Sequence, residues 1–152
     1  MSVNKSAKPF ASVAEEAVIG LMRTAEVVRR RLAGAIEPEG ITAQQFNVLR
    51  ILRGAGERGL PTLEIAERMI EHAPGITRMI DRLIAKELVA RERCAEDRRI
   101  VYCAITNEGR SLLARLDGPV READCAALKE ITERDQRGLI AMLDAIRAGG
   151  AE

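Results

Sequence analysis

The chain is poor in the residues that most site chemistry needs. Among 152 residues there is no tryptophan, one tyrosine, two phenylalanines and one histidine. With Phe10, Phe46 and Tyr102 as the whole aromatic complement, the core must be built from Leu, Ile, Val, Met and Ala, and little is left to stack on an aromatic ligand. Three cysteines, Cys94, Cys103 and Cys125, are too few and too scattered for a disulfide scaffold, and neither they nor His72 fall in a CxxC or Cys/His spacing. That argues against a zinc-type site and for buried or half-buried free thiols, with His72 an exposed turn residue. There is no GxSxG, no phosphate-cradling glycine loop and no HExxH, so the chain is not expected to be an enzyme or to hold a cofactor or metal. No apolar run is long enough to cross a membrane and no signal pattern opens the sequence, so a cytoplasmic location is expected. Charge of one sign is also lacking: 24 Lys and Arg face 23 Asp and Glu, a net charge of +1. A nucleic-acid surface would have to be made by the fold sorting charges onto one side.

What is present is a packed-core composition, 47% apolar and 31% charged, at a length that fits one domain or one domain with a dimerising extension. The most informative stretch is residues 74–106. From Ile76 the apolar residues fall at Ile76, Met79, Ile80, Leu83 and Ile84, one face of a helix, while Thr77, Arg78, Asp81 and Arg82 occupy the other. Pro74 suits the first helical turn, where its missing N–H leaves nothing unpaired. After Leu88 the period changes from helical to alternating. Val89–Cys94 and Ile100–Ile105 read as two short strands with Val101, Cys103 and Ile105 on one face. Between them lies the charged turn Ala95-Glu96-Asp97-Arg98-Arg99. A helix with an outward Thr/Arg face followed at once by an arginine-tipped hairpin is the pattern of a recognition helix and its wing.

The segments ITRMIDRL, LVAR, Asp97-Arg98-Arg99 followed by Ile100 to Cys103, and the closing Ile105-Thr106 resemble the MarR-type (multiple antibiotic resistance regulator) family of winged helix-turn-helix transcriptional regulators. The similarity runs from about residue 12 to 147. It implies a dimeric DNA-binding protein. Asp97 and Arg99 match the family's paired wing residues, with the arginine entering the minor groove and Asp97 placed to hold its guanidinium. One position departs from the pattern: Glu87 stands where the family usually carries glycine. If the usual turn is kept, a glutamate there costs roughly 1 kcal/mol or a little more at positive φ.

The remaining chain supplies helices. Ser12-Val13-Ala14-Glu15 and Thr42-Ala43-Gln44-Gln45 are capping boxes. The first opens a helix with a broad apolar stripe, Val13, Ala17, Val18, Leu21, Met22, Ala25, Val28 and Leu32, expected to end at Gly34 and Pro38. The second opens a helix through Phe46, Leu49, Ile51 and Leu52. Thr62 is a candidate N-cap for a short helix through Ile65, Ala66 and Met69. Thr106 caps a long helix that Asp117-Gly118-Pro119 should kink or interrupt. Thr132 caps a last one with Leu139, Ile140, Met142, Leu143 and Ile146 expected on its inner side.

The expected architecture is mainly α with a small β-hairpin wing. A winged helix-turn-helix would span residues 41–106, helical dimerisation segments 12–34 and 107–148, and flexible termini 1–11 and 149–152. The residues expected to meet DNA are Gly75, Thr77, Arg78, Arg82, Asp97, Arg98 and Arg99. Arginine can take guanine bidentately, threonine can touch a thymine methyl or a phosphate, and a narrow minor groove attracts an inserted arginine. A two-fold dimer through Val13, Val18, Leu139, Leu143 and Ile146 would place two recognition helices one turn of DNA apart. The expected partners are double-stranded DNA, a second copy of the chain and a small-molecule effector of unread class. The competing readings are a winged-helix protein-interaction module, which would need an exposed apolar patch instead, and a thiol-based redox-responsive regulator. The family's peroxide-sensing branch uses a cysteine near the N-terminus, and no cysteine precedes Cys94.

Overall fold

A computed structural model describes residues 10–150. The expectation of flexible termini falls mostly on residues 1–9 and 151–152, outside the described residues. The chain forms six helices and a small antiparallel sheet. The helices are α1 (Val13–Ile36), α2 (Ala43–Gly54), α3 (Thr62–Arg68), α4 (Ile76–Ala85), α5 (Asn107–Ala127) and α6 (Glu133–Gly149). The strands are β1 (Leu60–Pro61), β2 (Val89–Arg93) and β3 (Val101–Ile105), in the order β1-β3-β2, and α2, α3 and α4 pack against this sheet. The mainly helical architecture with a hairpin wing is as read from the sequence.

The caps explain most helix starts. Ser12, Thr42, Thr106 and Thr132 each accept a hydrogen bond from the backbone N–H three residues on. The Thr42 box is reciprocal, since Gln45 also reaches back to the Thr42 N–H. At Ser12 the box is only half made, because Glu15 accepts from the Ala11 N–H instead.

Several boundaries differ from expectation, each for a local reason. Gly34 does not stop α1, which runs on to Ile36; a 3-10 turn over Glu37–Glu39 follows, and Gly40 at φ +80° makes the break. Ile36 is fully buried, so carrying the helix two residues further seats it in the core. Thr62 is not the N-cap of α3. Pro61 is, and Leu60-Pro61 pairs with Cys103-Tyr102 as a third strand. Gly59 permits that pairing, because a Cβ there would collide with the backbone of Cys103 and Ala104. Pro74 precedes α4 rather than opening it, and Gly75 at φ +82° is the N-cap. Asp117-Gly118-Pro119 does not interrupt α5, which runs without a break for 21 residues. There Arg53 of α2 grips Asp117 through paired contacts of 3.0–3.1 Å, fastening the two helices beside the proline.

One core holds these elements together. It draws Ile36 from α1, Phe46, Val48, Leu49 and Leu52 from α2, Ile65 from α3, Ile80 and Leu83 from α4, Val89, Cys103 and Ile105 from the sheet, and Leu112, Leu113, Leu116 and Val120 from α5. Burying an aliphatic side chain of this size contributes about 1.5–3 kcal/mol, so α4 is fixed chiefly by Ile80 and Leu83 beneath it. By contrast no residue of α6 is buried. The face expected to point inward leaves Ile140, Met142 and Ile146 exposed, with Leu139 and Leu143 half-buried.

Candidate nucleic-acid interface

The interface is built outward from α4. Its buried face is Ile80 and Leu83, with Ile76, Met79 and Ile84 half-buried; Thr77, Arg78, Asp81 and Arg82 are exposed on the other side. The 3.6-residue period alone dictates this division. Gly75 is exposed at the N-terminal end, and its positive φ turns the incoming chain away from the helix axis.

The junction from helix to wing is set by a Schellman motif. The N–H of Leu88 bonds to the carbonyl of Leu83 at 3.0 Å and that of Glu87 to Ile84 at 2.8 Å, while Leu83 and Leu88 are both buried beside it. Glu87 occupies the left-handed position at φ +61°, the one non-glycine residue with positive φ among those described. The turn is therefore kept in its glycine form and the conformational cost accepted. Thr106 adds two bonds from the far end of the hairpin. Its hydroxyl donates to the Glu87 carbonyl at 2.7 Å and its N–H to Leu88 at 3.1 Å.

A further tie was not legible in the sequence. Arg91 of β2 donates to Asp81 of α4 at 2.6 Å, and that carboxylate holds the guanidinium pKa above its ordinary value. Asp81 is thereby neutralised on the face that would meet DNA. On the other side of the motif, Asn47 of α2 accepts the Ile70 N–H at 2.9 Å, and Arg29 of α1 reaches Glu71 at 2.7 Å while also holding Glu26. These bonds set the turn between α3 and α4, in which His72 is exposed. None could be found by local spacing, because the partners lie 10 to 42 residues apart.

At the wing tip one expectation is corrected. Asp97 does not hold the Arg99 guanidinium. Its carboxylate accepts the Arg99 backbone N–H at 3.0 Å, and its carbonyl accepts from Ile100 at 3.0 Å. An aspartate readily bonds its own backbone two residues on, and the turn satisfies it there. The tip is thus shaped by Asp97 while the side chains of Arg98 and Arg99 extend into solvent. Among the described residues, Arg78, Arg82, Arg98 and Arg99 have no ion-pair partner.

The remaining candidates are more dispersed. Of the residues expected to dimerise, Val13, Val18 and Ile146 are exposed and Leu139 and Leu143 half-buried. Cys103 is buried and Cys94 half-buried, but Cys125 is exposed, contrary to expectation, because its part of α5 lies beyond the core. Cys94 Sγ lies 4.0 Å from the Arg58 guanidinium, which stacks over Tyr102 at 4.5 Å. No helix among the described residues is long and apolar enough to cross a membrane.

A short helix, a turn, an amphipathic helix with a cationic outer face and an arginine-tipped hairpin together define a winged helix-turn-helix transcriptional regulator. The family model described as "MarR family" matches residues 41–101. A MarR transcription factor from Planctomyces limnophilus, of known crystal structure, is 36% identical, with 90% of this chain and 99% of that one covered and a TM-score of 0.69. The chain belongs to the MarR family. The transcriptional repressor MdtR of Bacillus subtilis is 34% identical over 91 residues, which span 60% of this chain and 57% of the repressor. The MarR family regulator Sco3205 of Streptomyces coelicolor, solved in complex with DNA, shares the fold at a TM-score of 0.82 and 21% identity, covering 98% of this chain and 94% of its own.

Proposed function

We propose that the chain works as a homodimeric repressor that binds a pseudo-palindromic operator and is released by a small-molecule effector. The observation that carries the DNA contact is the outer face of α4. Thr77, Arg78 and Arg82 are exposed, the arginines are without internal partners among the described residues, and Asp81 beside them is neutralised by Arg91. A helix with this face fits the major groove, where Arg78 and Arg82 reach base edges or phosphates and Thr77 a thymine methyl or phosphate. Gly75 lets the backbone approach closely. Arg98 and Arg99 enter the adjoining minor groove from a tip that Asp97 shapes.

Exposed apolar surface supports the dimer. Val13, Val18 and Met22 on α1 and Ile140, Met142 and Ile146 on α6 leave more than half of each residue in solvent in a single chain. Apolar faces on two helices, one from each end of the sequence, are covered by a second copy under a two-fold axis. The helix-turn-helix exposes Leu63 in the first turn of α3 and Ile70 in the turn beyond its end, which do not amount to the patch an interaction module would need. A cleft of about 320 Å³ between α2 and α5, lined by Phe46, Val120, Arg50, Arg121, Asp124 and the Arg53–Asp117 pair, is the space that supports an effector, and its mixed charges leave the effector's class open.

The test is fluorescence anisotropy of the protein with the DNA upstream of its own gene and with scrambled DNA, across a salt series. Tighter binding to the upstream DNA, saturating at two chains per site, is expected. Equal, weak binding to both, and no enrichment in a genome-wide pull-down, would reject the reading.

A further inference from the structure

The charges of β2 are divided between its two faces. The register sets Arg91 opposite Cys103 and Arg93 opposite Val101, so both arginines share the sheet face turned toward the core and α4. Arg91 demonstrates that direction by reaching Asp81. Glu92, opposite Tyr102, stands on the other face. Arg93 lies two residues nearer the wing tip than Arg91, about 6.6 Å along the strand, exposed and without an ion-pair partner among the described residues. None of the nearby acids pairs with it: Asp81 is held by Arg91, Asp97 bonds the turn backbone, Glu92 faces away, and Glu96 of the wing turn forms no ion pair among the described residues.

We propose that Arg93 binds the phosphate strand that runs between the two grooves. This rests on the DNA-binding reading above. If α4 lies in a major groove and the wing tip in the adjacent minor groove, the boundary between them is a sugar-phosphate strand. That strand must cross the gap between α4 and the outer end of β2. Arg93 is the cation β2 presents there, and its contact fixes the register of the wing on the duplex without reading sequence.

The test compares wild type with Arg93→Gln, Arg93→Lys and Arg134→Gln on two duplexes of about 30 base pairs, one from the upstream DNA and one scrambled. Arg134, at the start of α6, controls for the loss of any one positive charge. Each phosphate contact contributes about 0.9 to the slope of log affinity against log salt, so a dimer losing two contacts loses about 1.8. The wild-type advantage over Arg93→Gln should then shrink about twelve-fold between 50 and 200 mM salt. The loss should be proportionate on both duplexes, and Arg93→Lys should restore the slope, because a phosphate needs only a point charge. A slope for Arg93→Gln equal to that of Arg134→Gln, or a loss confined to the upstream duplex, would overturn the assignment. Wild type failing to bind either duplex would instead overturn the DNA-binding reading, and this inference with it. Circular dichroism melts of all four proteins separate a binding loss from a folding loss.

Discussion

Replacing Glu87 with glycine should stabilise the protein. Glu87 sits at φ +61°, where a side-chain-bearing residue costs roughly 1–2 kcal/mol from the crowding of its Cβ. Glycine removes that cost but gains freedom in the unfolded chain, worth about 0.5–1 kcal/mol in the opposite direction. The other contributions are nearly constant. The Glu87 side chain is exposed, and both backbone bonds, from its N–H to Ile84 and from Thr106 to its carbonyl, survive the change. The net expectation is a gain of about 0.5–1 kcal/mol, or roughly 1–4 °C in Tm for a chain of this length. The assay is denaturant and thermal unfolding at one fixed protomer concentration, because assembly would make stability concentration-dependent. Two controls isolate the cause. Glu87→Ala retains a Cβ and should gain little. Glu87→Gln removes only a negative charge from the helix C-terminus, worth a few tenths of a kcal/mol. A glycine variant no more stable than the alanine variant would refute the strain argument.

Four further outcomes are expected. Arg78→Ala should weaken binding to the operator by about 1–3 kcal/mol and binding to random DNA much less; titrations on both show equal loss if Arg78 touches only phosphate. Arg99→Ala should lose most affinity on operators with A·T-rich flanks, and an affinity loss independent of flank composition would remove Arg99 from the minor groove. Val18→Asp combined with Ile146→Asp should yield monomers by sedimentation while leaving the far-ultraviolet dichroism intact, since both side chains are exposed in the single chain. Gly59→Ala should destabilise by about 2 kcal/mol or more in denaturant titrations, because its Cβ meets β3 backbone that cannot move without breaking the β1 pairing.

The sequence disclosed what local periodicity and capping chemistry encode. The change from a 3.6-residue to a two-residue period located α4 and the hairpin, and the Thr-x-x spacing located the starts of α2, α5 and α6. The turn at Glu87 was flagged through the family resemblance, since glutamate stands there where the family usually carries glycine. What stayed hidden depended on distant partners. Leu60-Pro61 is too short to announce a strand and becomes one only by lying along β3. The Asp81–Arg91 and Arg29–Glu71 pairs join elements whose spacing in sequence says nothing about contact. Asp97 had two arginines within reach and a backbone N–H nearer still, and the N–H won because it needs no side chain to be ordered. At Pro119, packing and the Arg53–Asp117 grip outweigh the lost helical bond.

The Schellman turn at Glu87 has a consequence for the DNA this protein can accept. Two residues separate the last residue of α4 from the turn's buried Leu88, and Thr106 and the Asp81–Arg91 pair close the remaining play between helix and wing. On the proposed reading, the helix that enters the major groove and the tip that enters the minor groove are thereby tied together like the jaws of a caliper. One added base pair displaces the flanking A·T step by about 3.4 Å and rotates it by roughly a tenth of a turn, which a caliper cannot follow. The protein should thus measure the interval between half-site and flank, and reject operators whose letters are right but whose spacing is not.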